Sequence, residues 1–182
     1  MEQLETERLR LRQFRESDLD AYAEMCGDPE VMKYLGSGPM DRAEAWRNMA
    51  MVLGHWRLRG YGLWAVEERE GGEFVGRVGC WRPEGWPGLE IAWTLRRAFW
   101  GRGYATEAGR ASLDFAFNQL GQRRAISIIH GENDASIRVA KRLNMRLEGS
   151  GNLMGYPVLV YGARRPAGGG RIVSPPESTG AD

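Results

Sequence analysis

Cysteine, histidine and surplus charge are what this chain has least of. Its two cysteines, Cys26 and Cys80 among 182 residues, are too few for a disulfide framework and match no metal-ligand spacing. Both are therefore expected to be reduced, in a cytoplasmic protein. The two histidines, His55 and His130, are isolated, which speaks against a histidine metal site, and no metal is expected. With 25 basic and 24 acidic side chains the net charge is +1. Such a balance offers no broad field for nucleic acid or an anionic membrane and confines any anion site to a local feature. No apolar run approaches the roughly 20 residues that span a bilayer. The opening Met1-Glu2-Gln3-Leu4-Glu5 lacks the apolar centre of a signal peptide, and no internal repeat is visible.

What is present suits one globular domain with a sizeable core, expected over residues 1–165. Residues 6–14 alternate charged and apolar side chains, the pattern of a half-buried strand. Ser17-Asp18 is the expected cap of a first helix, and Asp28-Pro29-Glu30 starts a short helical turn. Asp41 with Glu44 forms a capping-box pair for a longer helix that stops near Gly60. Residues 61–68 and 73–81 read as a hairpin across Gly71-Gly72, and 89–95 as a further strand. A helix over 105–120, a strand over 124–129, a helix over 133–143 with Asn144 as its left-handed stop, and strands near 145–149 and 156–161 complete one mixed α/β sheet. From Pro166 the composition turns to Gly, Pro, Ser and Arg, and 166–182 is expected to be a disordered tail.

The chemistry centres on the turn Trp100-Gly101-Arg102-Gly103-Tyr104-Ala105, between a strand and a helix. The first turn of a helix leaves N–H groups unpaired and carries partial positive charge. Glycines let backbone approach a bulky anion, so the turn can seat a pyrophosphate, with Arg102 as an added charge. The same glycines can serve a tight turn and nothing more. Neither nucleotide pattern fits: no Lys-Ser/Thr follows, and the third small residue of a dinucleotide fingerprint is replaced by Thr106.

Residues 90–108 (Glu-Ile-Ala-Trp-Thr-Leu-Arg-Arg-Ala-Phe-Trp-Gly-Arg-Gly-Tyr-Ala-Thr-Glu-Ala) resemble the acetyl-CoA-binding motif of the GCN5-related N-acetyltransferases (GNAT). Residues 132–145, from Glu132-Asn133-Asp134-Ala135-Ser136 to Leu143-Asn144-Met145, resemble that superfamily's second motif helix. With the opening Thr6-Glu7-Arg8-Leu9-Arg10-Leu11-Arg12, the chain is similar to the ribosomal-protein-alanine (RimJ/RimL) branch over about residues 4–162. The departures are Trp100 in place of Gln or Arg, Asn144 in place of glycine, and Ala92 where the branch often has glycine at a strand bulge.

The resemblance implies a mostly antiparallel sheet flanked by helices, with a splayed central strand pair whose gap takes the pantetheine arm along Trp93, Thr94 and Leu95. The amides of Arg102 through Thr106, hence Gly103, Tyr104 and Ala105 as well, would cradle the pyrophosphate. Asn133 and Ser136 would stand near the pantetheine, with Arg138 or Arg142 at the adenosine phosphate; Asn133 also reads as a helix N-cap. Glu90 is the candidate general base, its other reading being a structural carboxylate on an exposed strand face. A backbone N–H near Trp93 is the candidate oxyanion donor and Ser136 the candidate acid. Acetyl-CoA is the expected donor, and a primary amine the acceptor, either a protein N-terminal α-amine or a small molecule; relatives also suggest a homodimer. The tryptophans at 46, 56, 64, 81, 86 and 93 read mostly as core, with Trp86, Tyr34 and Trp46 as candidates to line the acceptor mouth. His130 reads as structural and Cys80 as buried.

Overall fold

The protein is described by a computed structural model over residues 3–36, 38–153 and 155–166. The alternating opening folds as two short strands, β1 (Leu4–Glu5) and β2 (Leu9–Arg12), rather than one. Thr6 causes the break. Its amide donates to Leu9 O at 2.9 Å and its hydroxyl accepts from Leu9 N at 3.0 Å. The chain therefore reverses, and Leu4 pairs with Leu11.

A 3-10 turn at Glu16–Asp18 leads into α1 (Leu19–Gly27). The cap expected from Asp18 is not made. Its carboxylate instead takes two 2.8 Å bonds from the Arg12 guanidinium and one from Arg15 N. Arg12 also donates to Glu67 at 2.7 Å, and all three charged groups are buried. A buried charge needs its partners more than a helix end needs one cap.

α2 (Pro29–Met32) starts on Asp28, whose carboxylate accepts from Glu30 N. α3 (Arg42–Arg59) forms where its capping box places it: Glu44 N donates to Asp41 and Asp41 N to Glu44. It ends at Gly60, left-handed at φ 76°. The hairpin β3 (Leu63–Glu68) and β4 (Phe74–Trp81) follows, then β5 (Glu90–Leu95), α4 (Tyr104–Asn118), β6 (Arg124–His130) and α5 (Asp134–Arg142). Asn144 takes the left-handed stop at φ 58°, and β7 (Arg146–Leu153) and β8 (Tyr156–Arg164) close the chain. The tail expected over 166–182 lies, Pro166 apart, outside the described residues.

The eight strands form one sheet in the order β1-β2-β3-β4-β5-β6-β8-β7. Only β5 and β6 run parallel among its neighbouring pairs. Helices cover both faces. Arg77 on β4 reaches Tyr22 of α1 and Asn48 of α3, while Trp93, opposite the next residue Val78, reaches Ser136 of α5. Successive strand residues point to opposite faces, so the two helix pairs lie on opposite sides. The β4–β5 register runs unshifted from Trp81↔Glu90 to Gly76↔Leu95. The bulge anticipated at Ala92 is therefore absent; irregularities fall at Val66/Glu67 and Leu147/Gly149 instead. Among the described residues no helix is long and apolar enough to cross a membrane.

Candidate active site

The parallel pair at the sheet centre comes apart almost as soon as it forms. Its ladder holds one register pair, Glu90↔Ile126. Ile126 N donates to Leu89 O at 2.8 Å, and the Ser127 hydroxyl takes Ile91 O at 2.6 Å. Arg96 N bonds Val75 O on β4, so by the two-residue period the backbone groups of Ile91, Trp93 and Leu95 face the opening. Trp100 closes the far end, its indole N–H donating to Leu95 O at 2.9 Å. What is left is the splayed edge at Trp93–Leu95, in a cleft of about 1250 Å³ that runs from the glycine turn to β8.

At one end the turn is built as its glycines allow. Gly101 and Gly103 sit at φ 78° and 80°, a region costly for residues with a Cβ. Gly103 is the N-cap of α4, and Glu107 N makes the first helical bond, to Gly103 O. The amides of Tyr104, Ala105 and Thr106 precede that bond and line the cleft together with both glycines. The Thr106 hydroxyl is buried there without a hydrogen-bond partner, an unmet donor that suits a phosphate-bearing ligand. Arg102 is not where the sequence suggested. Its side chain lies outside the cleft, 3.4 Å from Glu68 and over the Phe99 ring at 5.1 Å. An opposite charge and an aromatic face hold it there.

A brace invisible in the sequence spacing fixes this turn. Arg8 donates to Arg102 O at 3.0 Å and to Glu107 at 2.7 Å, while Thr6 donates to the same carboxylate at 2.6 Å. Burial works against ionisation of Glu107, but these bonds outweigh it and hold the carboxyl below its usual range. Thr6 and Arg8 belong to the opening block, yet nothing in the spacing joins them to a residue so far along the chain.

Across the cleft, α5 presents Asn133, Ser136, Arg138 and Arg142, with both arginines exposed. Asn133 is indeed the N-cap, its Oδ1 accepting from Ser136 N at 3.1 Å. Asn133→Ala is expected to cost about 1 kcal/mol of stability, read as a lower urea midpoint. Ser136 Oγ accepts from the Trp93 indole at 3.2 Å, which leaves its own proton free to point into the cleft.

Glu90 stands at the apex of the splay, and not on an exposed face: it is 7% exposed. Trp86 Nε1 donates to one carboxylate oxygen at 2.8 Å and Ile128 N to the other at 3.3 Å. Burial pushes its pKa up to about 7, against the pull of these two bonds and of the Arg77 charge. A carboxylate so placed can exchange protons near neutral pH.

Beyond Glu90 the walls are aromatic. Tyr34, Trp81, Trp86 and Tyr156 line this half, and His130 stacks on Tyr34 at 5.1 Å while its Nδ1 accepts from Glu132 N. Trp86 lines the cleft as expected, Trp81 and Trp93 line it while packing against the core, and Trp56 and Trp64 are buried as expected. Trp46, expected at the acceptor mouth, is 47% exposed and lies outside the cleft. The Tyr156 hydroxyl donates to Gly36 O at 2.7 Å, bridging β8 to the turn after α2. Cys26 and Cys80 are free and buried, and burial raises the Cys80 thiol far above its usual range. No metal-binding cluster occurs among the described residues.

Comparison with known proteins agrees with this geometry. A family model described as an acetyltransferase (GNAT) domain matches residues 8–146. The YkkB protein of Bacillus subtilis strain 168 is 35% identical over 168 residues, covering 87% of this chain and 93% of its own. The crystal structure of an acetyltransferase from Agrobacterium tumefaciens C58 superposes with a TM-score of 0.83 at 31% identity, covering 91% of this chain and 95% of that one. A RimL ribosomal L7/L12 α-N-protein acetyltransferase, solved with coenzyme A, shares the fold with a TM-score of 0.74 at 20% identity, covering 90% and 98%.

Proposed function

The chain belongs to the acetyltransferase (GNAT) family, and from that premise we propose that it moves an acetyl group from acetyl-CoA to a primary amine in this cleft. The observation that carries the proposal is Glu90, a buried carboxylate with a pKa near 7 at the apex of the splayed strands.

The donor fits the cofactor half. Its pyrophosphate would lie on the amides of Tyr104, Ala105 and Thr106, with the Thr106 hydroxyl as a further donor. Its pantetheine, an amide chain, would pair with the open edge at Trp93 and Leu95 as an added strand does. Arg138 and Arg142 are the cations available to the adenosine phosphate.

Transfer then requires three groups of the protein. Glu90 takes the proton of the ammonium, directly or through water, freeing the nitrogen lone pair. That pair attacks the thioester carbon, and the Trp93 N–H receives the negative oxygen. One such donor is typically worth ~2.7–4 kcal/mol. The C–S bond breaks as the C=O bond re-forms, and the second proton of the attacking nitrogen passes to the departing sulfur or to water. Ser136, held by Trp93 and Asn133, gives that sulfur a hydrogen bond. A thiol pKa of about 8.5 lets the thiolate leave with no stronger acid.

Because the Trp86 bond stabilises ionised Glu90, Trp86→Phe should move the acid limb of kcat/KM to higher pH. Activity at pH 6.5 is expected to fall several-fold and to recover by pH 8.5 (roughly one pH unit of displacement for one hydrogen bond). An unmoved limb would mean that another group titrates.

The acceptor is a protein N-terminal α-amine or a small amine. A turnover screen with both kinds, read by product mass, tests the function directly. Acetyl-CoA bound without any amine acetylated would make the chain a binding module instead. The enzyme is expected to work in the cytoplasm, and a homodimer would form most simply through β7, the last strand in the sheet order.

A further inference from the structure

Most arginines of this protein that are even partly buried are matched with an acid. Arg12 has Asp18 and Glu67, Arg96 has Glu24 and Glu73, Arg10 has Glu67, and Arg124 has Glu148. Arg77 differs. It is half-buried on β4 and lines the cleft on the face of the sheet covered by α1 and α3. Its Nη1 donates to the Tyr22 hydroxyl and to Asn48 Oδ1, each at 2.6 Å. Both partners are neutral, and among the described residues no carboxylate forms an ion pair with it. A guanidinium has five N–H donors, and those on Nε and Nη2 have no partner among the described residues.

The acidic side chains of α1 and its two flanking residues are engaged elsewhere. Asp18 is bound by Arg12, Asp20 by Arg42, Glu24 by Arg96 and Asp28 by Arg97. Glu90 feels the Arg77 charge without pairing with it. Among the described residues Glu30 and Glu90 are the acids that line the cleft, beside the cations Lys33 and Arg77, a sparser acidic set than a polycation needs.

Position makes this specific. Arg77 sits opposite Thr94 and Trp81 opposite Glu90, so Arg77 and Glu90 point to one face of the sheet. Their register positions are roughly 13 Å apart along β5, and both side chains line the same cleft. Between them the ladder holds Ala92 opposite Gly79, so this stretch of floor carries no bulky side chain. The Tyr156–Gly36 bridge ties β8 to the turn after α2 at the wall of the same cleft.

We propose that the acceptor is a small primary amine carrying its own anionic group, a carboxylate or a phosphate, which the free N–H groups of Arg77 bind while the amine lies by Glu90. The inference rests on the acetyltransferase reading and names the substrate class of that same cleft. The transfer chemistry is unchanged; Arg77 orients the molecule, and Trp81 and Trp86 cover its apolar body.

Matched pairs test it: phenylalanine against phenethylamine, and phosphoethanolamine against ethanolamine, each with acetyl-CoA. The purified protein should favour the anionic member of at least one pair by ~10–100-fold in kcat/KM, the range for a hydrogen-bonded charge. The pair that shows it tells carboxylate from phosphate. Arg77→Gln should cut kcat/KM for the anionic member far more than for its partner, and Arg77→Lys should keep most of the preference. Both variants are checked for an unchanged melting profile. Equal rates within every pair, equal losses on both members in Arg77→Gln, or turnover confined to N-terminal peptides would overturn the inference and leave the acetyltransferase reading standing. No amine of any kind acetylated, with acetyl-CoA bound, would overturn both.

Discussion

Glu90→Gln is expected to lower kcat by ~10²–10³, the loss typical of removing a positioned base, and to change how stability depends on pH. The two effects share one cause. Burial holds the folded pKa near 7, above the ordinary 4.5, so between those values the folded protein keeps a proton that the unfolded chain has lost. Stability from this group is thus fully present below about pH 4.5, declines as pH rises, and is lost once pH passes 7. At about 1.4 kcal/mol per pH unit, the ceiling on that loss is on the order of 3 kcal/mol. Glutamine cannot ionise, so the variant should lack this component of the decline. Its absolute stability gains less, because its NH₂ must face one of the two donors, Trp86 Nε1 or Ile128 N. Urea unfolding of both proteins at pH 5 and pH 8 reads the difference. Parallel pH curves would show that Glu90 carries its charge at no cost, and full activity in the variant would remove it as the base.

Gly103→Val is expected to weaken acetyl-CoA binding by more than 100-fold while the sheet and core persist. A β-branched residue at φ 80° faces a backbone penalty of roughly 1–3 kcal/mol. Its Cβ would also come into contact, at 3.4 Å, with Arg8 Nη2, on the guanidinium that holds Arg102 O and Glu107. The cheapest escape is to move the turn, and the amides of Tyr104 through Thr106 move with it. Calorimetry with acetyl-CoA, beside a circular dichroism melt, separates this from unfolding. Gly101 differs, since its added Cβ meets nothing within 4 Å. Gly101→Ala should therefore have the smaller effect of the two.

Local rules were legible in the sequence and long-range pairings were not. The Asp41/Glu44 box, the stop at Gly60 and the left-handed Asn144 each depend on neighbours a few residues away, and each forms as read. The glycine turn and the helix at Asn133 could be placed for the same reason, with the family resemblance saying what they are for. Asp18 failed as a cap because Arg12, held alongside by its own bond to Glu67, made a stronger claim on it. The side chain of Arg102 lies outside the cleft because Glu68, on β3, and the Phe99 ring hold it there. Arg8, Trp100 and Arg77 were missed for one reason: what matters about each is a partner, or the lack of one, that only the folded sheet defines. Trp46 lay at the same helical spacing as buried residues, and spacing alone does not tell which side of α3 a partner covers.

A crystal structure with acetyl-CoA bound tests the assignment of this cleft most directly. The pyrophosphate should lie on the amides of Tyr104, Ala105 and Thr106, the pantetheine along Trp93 to Leu95, and the thioester oxygen within hydrogen-bond reach of Trp93 N, on the side of the sheet gap that faces Glu90. Coenzyme bound elsewhere, or a thioester turned away from Glu90 with Trp93 N–H unused, would contradict it.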